Sequence, residues 1–137
     1  MSAERTVRVG IVIGSDSDLD VMRETADVLT ALGVGSEIVV SSAHRTPKRT
    51  EAYATSAHTR GIGVLIAAAG GAAALPGVLA ALSPLPVIGV PLASTPLGGM
   101  DALLSIVQMP PGVPVACVSV DGSRNAALLA ARILGSS

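Results

Sequence analysis

The sequence has no phenylalanine or tryptophan and a single tyrosine, so a chain of 137 residues, 50% of them hydrophobic, must build its core from Ala, Val, Leu and Ile. Such small side chains permit close backbone approach, and the length is enough for one domain with a proper core. The lone cysteine, Cys117, excludes an internal disulfide; set in Val115-Ala116-Cys117-Val118, it reads as a small buried apolar residue rather than a reactive thiol. Positive charge is not in excess either. Nine Lys and Arg stand against ten Asp and Glu, a formal net charge of -1, which leaves no basic surface for gripping nucleic acid. Residues Met1 to Arg8 mix charged and polar positions before any apolar run, the wrong order for a secretory signal, and the expected compartment is the cytoplasm.

Charge is missing altogether from position 61 to position 100. Gly70-Gly71, Pro76-Gly77, Pro84, Pro86, Pro91 and Pro96 interrupt that stretch, leaving no apolar helix of the ~20 residues a bilayer requires. A membrane span is therefore rejected in favour of buried parallel strands. Part of the uncharged surface is expected to be covered by further copies of the chain, which makes a homo-oligomer the expected state.

What is present is a regular alternation. Short β-branched runs occur at Val7 to Ile13, Ser36 to Val40, Gly63 to Ala68, Pro86 to Val90 and Pro114 to Val120. Between them one helical stretch places Leu19, Met22, Ala26, Leu29 and Leu32 on one face and ends at Gly33. Others cover Pro47 to Arg60, Leu75 to Leu82, Gly99 to Gln108 and Ser123 to Leu134. Continuous rather than alternating hydrophobicity in the strands predicts a single-domain α/β fold, a three-layer doubly wound parallel sheet.

Open parallel sheets bind ligands beyond the carboxyl ends of their strands, and the chemistry-bearing residues fall there. After the second run comes Ser42-Ala43-His44-Arg45-Thr46-Pro47. Histidine is the side chain best suited to proton transfer near neutral pH, and a guanidinium holds carboxylate or phosphate in a fixed fork. Thr46-Pro47 reads as N-cap and first residue of a helix, whose free N–H groups would add to the attraction for an anion. After the first run, Gly14 permits a tight turn, Ser15 and Ser17 offer hydroxyls, and Asp18 is placed to accept from ribose hydroxyls. Ser17 followed by Asp20 also approaches a capping box, so capping and ligand binding both stand at this point. After the third run, Gly70-Gly71 is either a simple turn or an anion nest. His58, Lys48, Arg49, Glu51 and Arg60 read as a solvated helix face, Tyr53 as a packing residue, and Asp101 as a cap with no chemical role. No cluster at metal-ligand spacing is present, and neither metal nor cofactor is expected.

Together these loops resemble the N5-carboxyaminoimidazole ribonucleotide mutase family, PurE, over about residues 7 to 134 of the chain. The resemblance is carried by Gly14-Ser15-x-Ser17-Asp18, the His44-Arg45 motif, Ala69-Gly70-Gly71-Ala72-Ala73, Leu75-Pro76-Gly77, Pro86 to Pro91, Asp101 to Pro110 and Asn125 to Ala130. It implies a flavodoxin-like fold, an octamer with active sites between subunits, and carboxylate migration from N5 to ring carbon C4 without ATP, metal or organic cofactor. It casts His44 as the proton shuttle. Gly14, Ser15, Ser17, Asp18, Ser42, Ala43 and Arg45 would hold the ribonucleotide, and Gly70, Gly71, Ala72, Ala73 and Leu75 would face the carboxylate or CO2. His-Arg rather than His-Lys favours the mutase over relatives that use free CO2.

The chain departs from the family pattern at Ala74, where a histidine is usual, at Leu19, where Trp is common, and in the loop Asp121 to Arg124; it also stops at Ser137, before a further C-terminal helix. Two alternatives therefore stand beside the mutase. One is a PurE-like paralogue that carboxylates or decarboxylates a different small substrate in specialised metabolism, and the other is a non-catalytic nucleotide-binding module.

Overall fold

The computed structural model describes residues 6–136. Five parallel strands, β1 (Val7–Ile13), β2 (Gly35–Val40), β3 (Val64–Ala69), β4 (Val87–Pro91) and β5 (Ala116–Cys117), form one sheet in the order β2-β1-β3-β4-β5. Five α-helices follow them in turn: α1 (Leu19–Ala31), α2 (Pro47–Ala57), α3 (Leu75–Leu82), α4 (Met100–Val107) and α5 (Ser123–Gly135). The alternation expected from the sequence is thus present, in the three-layer doubly wound form.

Side-chain alternation along the strands divides the core in two. Val9, Ile11 and Ile13 of β1, with Val64, Ile66 and Ala68 of β3, meet Met22 and Leu29 of α1 and Ala126, Ala127 and Ala130 of α5 on one face. On the other, Val12, Leu65, Ala67 and Val87 meet Tyr53, Ala54 and Ala57 of α2 and Leu75 and Leu79 of α3. Alanine on three helix positions of α5 lets that helix approach the sheet closely, which is how a core without Phe or Trp is filled.

Two expected elements differ. The run Pro114 to Val120 contributes only Ala116–Cys117 to the sheet, paired to Ile88 and Gly89. Pro114 has no N–H to give a ladder, and β5 is an edge strand, where pairing on one side alone holds the chain. The stretch Pro47 to Arg60 is α-helical to Ala57 and closes as a 3-10 turn over His58–Arg60, stopped by Gly61 at φ 92°. The strand order reverses its direction at β1 and β3. Loops leaving these two neighbours diverge to opposite faces, opening a crevice at their carboxyl ends.

Candidate active site

That crevice is a cavity of about 280 Å³. The first loop contributes Gly14, Ser15, Ser17 and Asp18, the second Ser42, Ala43, His44 and Arg45, and the third Ala69, Gly70, Gly71, Ala72, Ala74 and Leu75. A fourth loop, after β4, adds Ser94. Three of the motifs singled out in the sequence therefore share one wall system. Ala73 does not line it; its side chain is buried against Ala102 and Ile106 of α4.

The first loop leaves β1 into a 3-10 turn over Asp16–Asp18, capped by the Ser15 hydroxyl, which accepts from the Ser17 N–H at 3.3 Å and meets the Ser17 hydroxyl at 3.0 Å. The cap is thus Ser15, not Ser17, and Asp18 enters α1 with no side-chain capping bond. Its half-buried carboxyl lines the cavity instead. Burial raises its pKa above the usual carboxylate range, and a hydrogen bond from the Ser15 backbone partly offsets that rise.

The second loop is stapled through Ser42. Its hydroxyl accepts from the N–H groups of His44 (3.3 Å) and Arg45 (3.1 Å), which leaves its own proton for a ligand. The Thr46 hydroxyl accepts from the Ser42 N–H at 2.8 Å, so it ties the loop rather than capping α2. Beneath, the buried Thr50 hydroxyl reaches the Ser42 carbonyl at 3.1 Å and the buried Ser41 hydroxyl at 2.6 Å. Pro47 occupies the first turn of α2 as expected. This scaffold presents His44 and Arg45 outward, both exposed at the cavity.

A second cavity of about 490 Å³ shares Gly14, Ser15, Ser42 and Arg45 with the first and continues past Thr46 to Arg49. Arg49, read from the sequence as merely solvated, therefore faces the site. Arg60 also departs from that reading. It pairs with Glu37 at 2.8 Å and 3.1 Å, and Tyr53 donates to the same carboxylate at 2.8 Å. The Arg60 hydrogen bonds, helped by that of Tyr53, hold the Glu37 carboxyl below its ordinary value, while burial and the neighbouring carboxylate push the Tyr53 phenol up.

Asp101 is not a helix cap but accepts from the Thr95 hydroxyl at 2.6 Å. Met109, in the unexplained Gln108-Met109-Pro110 segment, lies over α3 so closely that a Cβ at Gly77 would meet its Cε at 3.0 Å. Ser94 was not signalled by any sequence pattern. Its loop, Ala93-Ser94-Thr95-Pro96, has no glycine fingerprint or titratable group, and only the cavity reveals it.

A parallel sheet with polar loops gathered at the point where its strand order turns defines an α/β protein of the kind that binds small molecules at its strand ends, here with a histidine beside an arginine at the cavity. The chain belongs to the AIR carboxylase family, whose model matches residues 8–137. It is 64% identical over 127 residues to N5-carboxyaminoimidazole ribonucleotide mutase of Pyrococcus abyssi, spanning 93% of this chain and 73% of that protein. It is 61% identical over 127 residues to phosphoribosylaminoimidazole carboxylase of Saccharomyces cerevisiae, covering 93% of this chain and 22% of that much longer protein. Among solved structures, that of Treponema denticola PurE superimposes with a TM-score of 0.85 at 31% identity, over 93% of this chain and 80% of the other.

Proposed function

We propose that this protein is an N5-carboxyaminoimidazole ribonucleotide mutase of de novo purine biosynthesis, with His44 as its proton shuttle. The observation that carries the reading is the single cavity in which the His44-Arg45 loop faces both Asp18 and the Gly70-Gly71 loop. In an enzyme family whose relatives bear mutase and carboxylase names, that arrangement supplies each group the rearrangement requires.

Protonated His44 gives its proton to N5 as the N–C bond breaks, releasing the amine and CO2. The cavity holds CO2 against ring carbon C4, whose electron pair forms the new C–C bond; confinement replaces a bimolecular encounter. Neutral His44 then removes the proton left on C4, restoring the aromatic ring and its own starting state, so no net proton is consumed. Arg45, with Arg49 behind it in the adjoining cavity, lies on the side suited to phosphate. Asp18 accepts from the ribose hydroxyls, and the Ser42 proton is available to the phosphate.

The reading is tested by replacing His44 with Asn, which keeps a polar group but cannot shuttle protons. Turnover of N5-carboxyaminoimidazole ribonucleotide should fall to the spontaneous rate while ligand affinity is kept within a few-fold; undiminished turnover refutes the role. Mutase chemistry further requires that the rate be indifferent to added bicarbonate, whereas a carboxylase acting on aminoimidazole ribonucleotide would depend on it.

The working form is proposed to be a homo-oligomer in the cytoplasm, an octamer by family resemblance. Leu97 and the α4 side chains Met100, Leu104 and Val107 are 68%, 55%, 50% and 49% exposed, an apolar surface that further copies would cover. A monomeric mass by light scattering at micromolar concentration would contradict this. Among the described residues no helix is long and apolar enough to cross a membrane.

A further inference from the structure

The wall of the cavity formed by the third loop is Ala69, Gly70, Gly71, Ala72, Ala74 and Leu75, which brings no polar side chain. Ser94 supplies one. A Cβ built on Gly70 would lie 3.0 Å from the Ser94 Oγ and 3.5 Å from the Thr95 Cγ2, so the fourth loop rests directly on the glycine turn, and a side chain at position 70 would press on the Ser94 hydroxyl. The Ser94 hydroxyl has no hydrogen-bond partner among the described residues, although its neighbours on both sides are held.

Both holds come from carboxylates. On one side the Ala93 N–H donates to Asp121 Oδ1 at 3.0 Å. Asp121 is itself left-handed at φ 56°, uncommon for a residue with a side chain, and is kept there by its N–H on the Pro91 carbonyl (2.8 Å) and by the Ser123 N–H on its own carbonyl (2.8 Å). On the other side the Thr95 hydroxyl donates to Asp101 Oδ1 at 2.6 Å and accepts from the Gly99 N–H at 3.1 Å, so its proton is committed. Two acidic residues thus clamp the loop around a serine that is left free to serve a ligand.

The cavity also has a direction. The second cavity, with its arginines, shares walls with the first two loops and none with the third. An anionic phosphate drawn toward Arg45 and Arg49 places the far end of the substrate at Gly70, Ala74 and Ser94.

We propose that Ser94 contacts the substrate, donating its hydroxyl to the migrating carboxylate at the Gly70 end of the cavity, and that Asp101 and Asp121 are positioning residues that hold it there through Thr95 and Ala93. This rests on the mutase reading. The geometry gives Ser94 the place of the polar side chain that Ala74 does not supply on that wall.

The test compares Ser94→Ala and Ser94→Thr with the wild type in mutase turnover, and in calorimetric binding of the 4-carboxylated product and of aminoimidazole ribonucleotide, which lacks the carboxylate. Loss of a hydrogen bond to a charged group predicts roughly a tenfold or greater fall in kcat/KM for Ser94→Ala and a similar weakening of the carboxylated ligand. Affinity for the uncarboxylated ribonucleotide should stay within about twofold, and Ser94→Thr, which keeps the hydroxyl, should recover most of the loss. Equal weakening of both ligands, or no change in either, overturns the proposal. Wild-type protein that binds both ligands but gives no mutase turnover would refute the mutase reading while the binding comparison still decides the role of Ser94.

Discussion

Gly10, at the centre of β1, faces the ring of Tyr53. A Cβ there would overlap the Tyr53 hydroxyl and come within 3.1 Å of its Cζ and 3.0 Å of Leu65 Cδ2. Gly10→Ala therefore has to displace the phenol, and the first loss is its 2.8 Å hydrogen bond to Glu37. That bond to a charged acceptor is worth about 1.5 to 3 kcal/mol at most, less here because the carboxylate is partly in water, and forcing a methyl into a packed core adds about 1 to 3 kcal/mol. A combined loss of about 2 to 4 kcal/mol lowers Tm by roughly 10 °C for a domain of this size. The control is Tyr53→Phe. On its own it costs about 1 to 2 kcal/mol, but in the Gly10→Ala background it removes the obstructing oxygen, so the double variant should lose at least about 1 kcal/mol less than the two single losses added together. Urea unfolding at fixed protein concentration measures all four corners. Additive losses would refute the reasoning, because they would mean that the hydroxyl and the new methyl do not compete for one space.

Two further outcomes follow from the same side of the molecule. Thr50→Val, nearly isosteric, leaves the buried Ser41 hydroxyl without its side-chain partner and takes one donor from the Ser42 carbonyl, which keeps Thr46; it should cost about 1 to 3 kcal/mol and lower kcat by loosening the His44 loop, whereas Thr50→Ser should retain both, as denaturation and steady-state rates would reveal. Because Arg60, and then Tyr53, lower the folded pKa of Glu37, the unfolded chain binds its proton more tightly. The stability this provides is fully present above the unfolded value of about 4.3 and is lost as pH falls through the folded one. Glu37→Gln should accordingly cost about 1 kcal/mol or less at pH 7 and flatten the decline in urea midpoint between pH 5 and pH 3; an unchanged decline would assign it to other carboxylates.

Much of this architecture is written in local pattern. Strands buried on both faces are continuous apolar runs, and α2, α3, α4 and α5 each begin or end beside a proline, serine or glycine where the pattern breaks. The three loops were legible because Gly14, His44 and Gly70-Gly71 combine special backbone freedom with special chemistry immediately after such a run. Ser94 was not, because a serine among small residues has no local mark, and its meaning comes from Gly70, which is distant in sequence, and from two carboxylates, one in the first turn of α4 and one in the turn before α5. The inward turn of the Ala73 side chain was hidden for a related reason. Within a run of alanines nothing local says which methyl turns inward, and α4 settles it. The short β5 shows the limit of composition: Pro114 to Val120 has the residues of a strand but, at the sheet edge, only two find partners.

The solitary tyrosine has a practical consequence. With no tryptophan to mask it, near-ultraviolet absorption and emission from this protein come from Tyr53 alone, at the junction of α2 and β2 and hydrogen-bonded to a carboxylate. Since α2 also bears the turn that carries His44, that chromophore is an intrinsic optical gauge of the strut beneath the reactive imidazole. Loosening of that strut can be followed through it with no label attached.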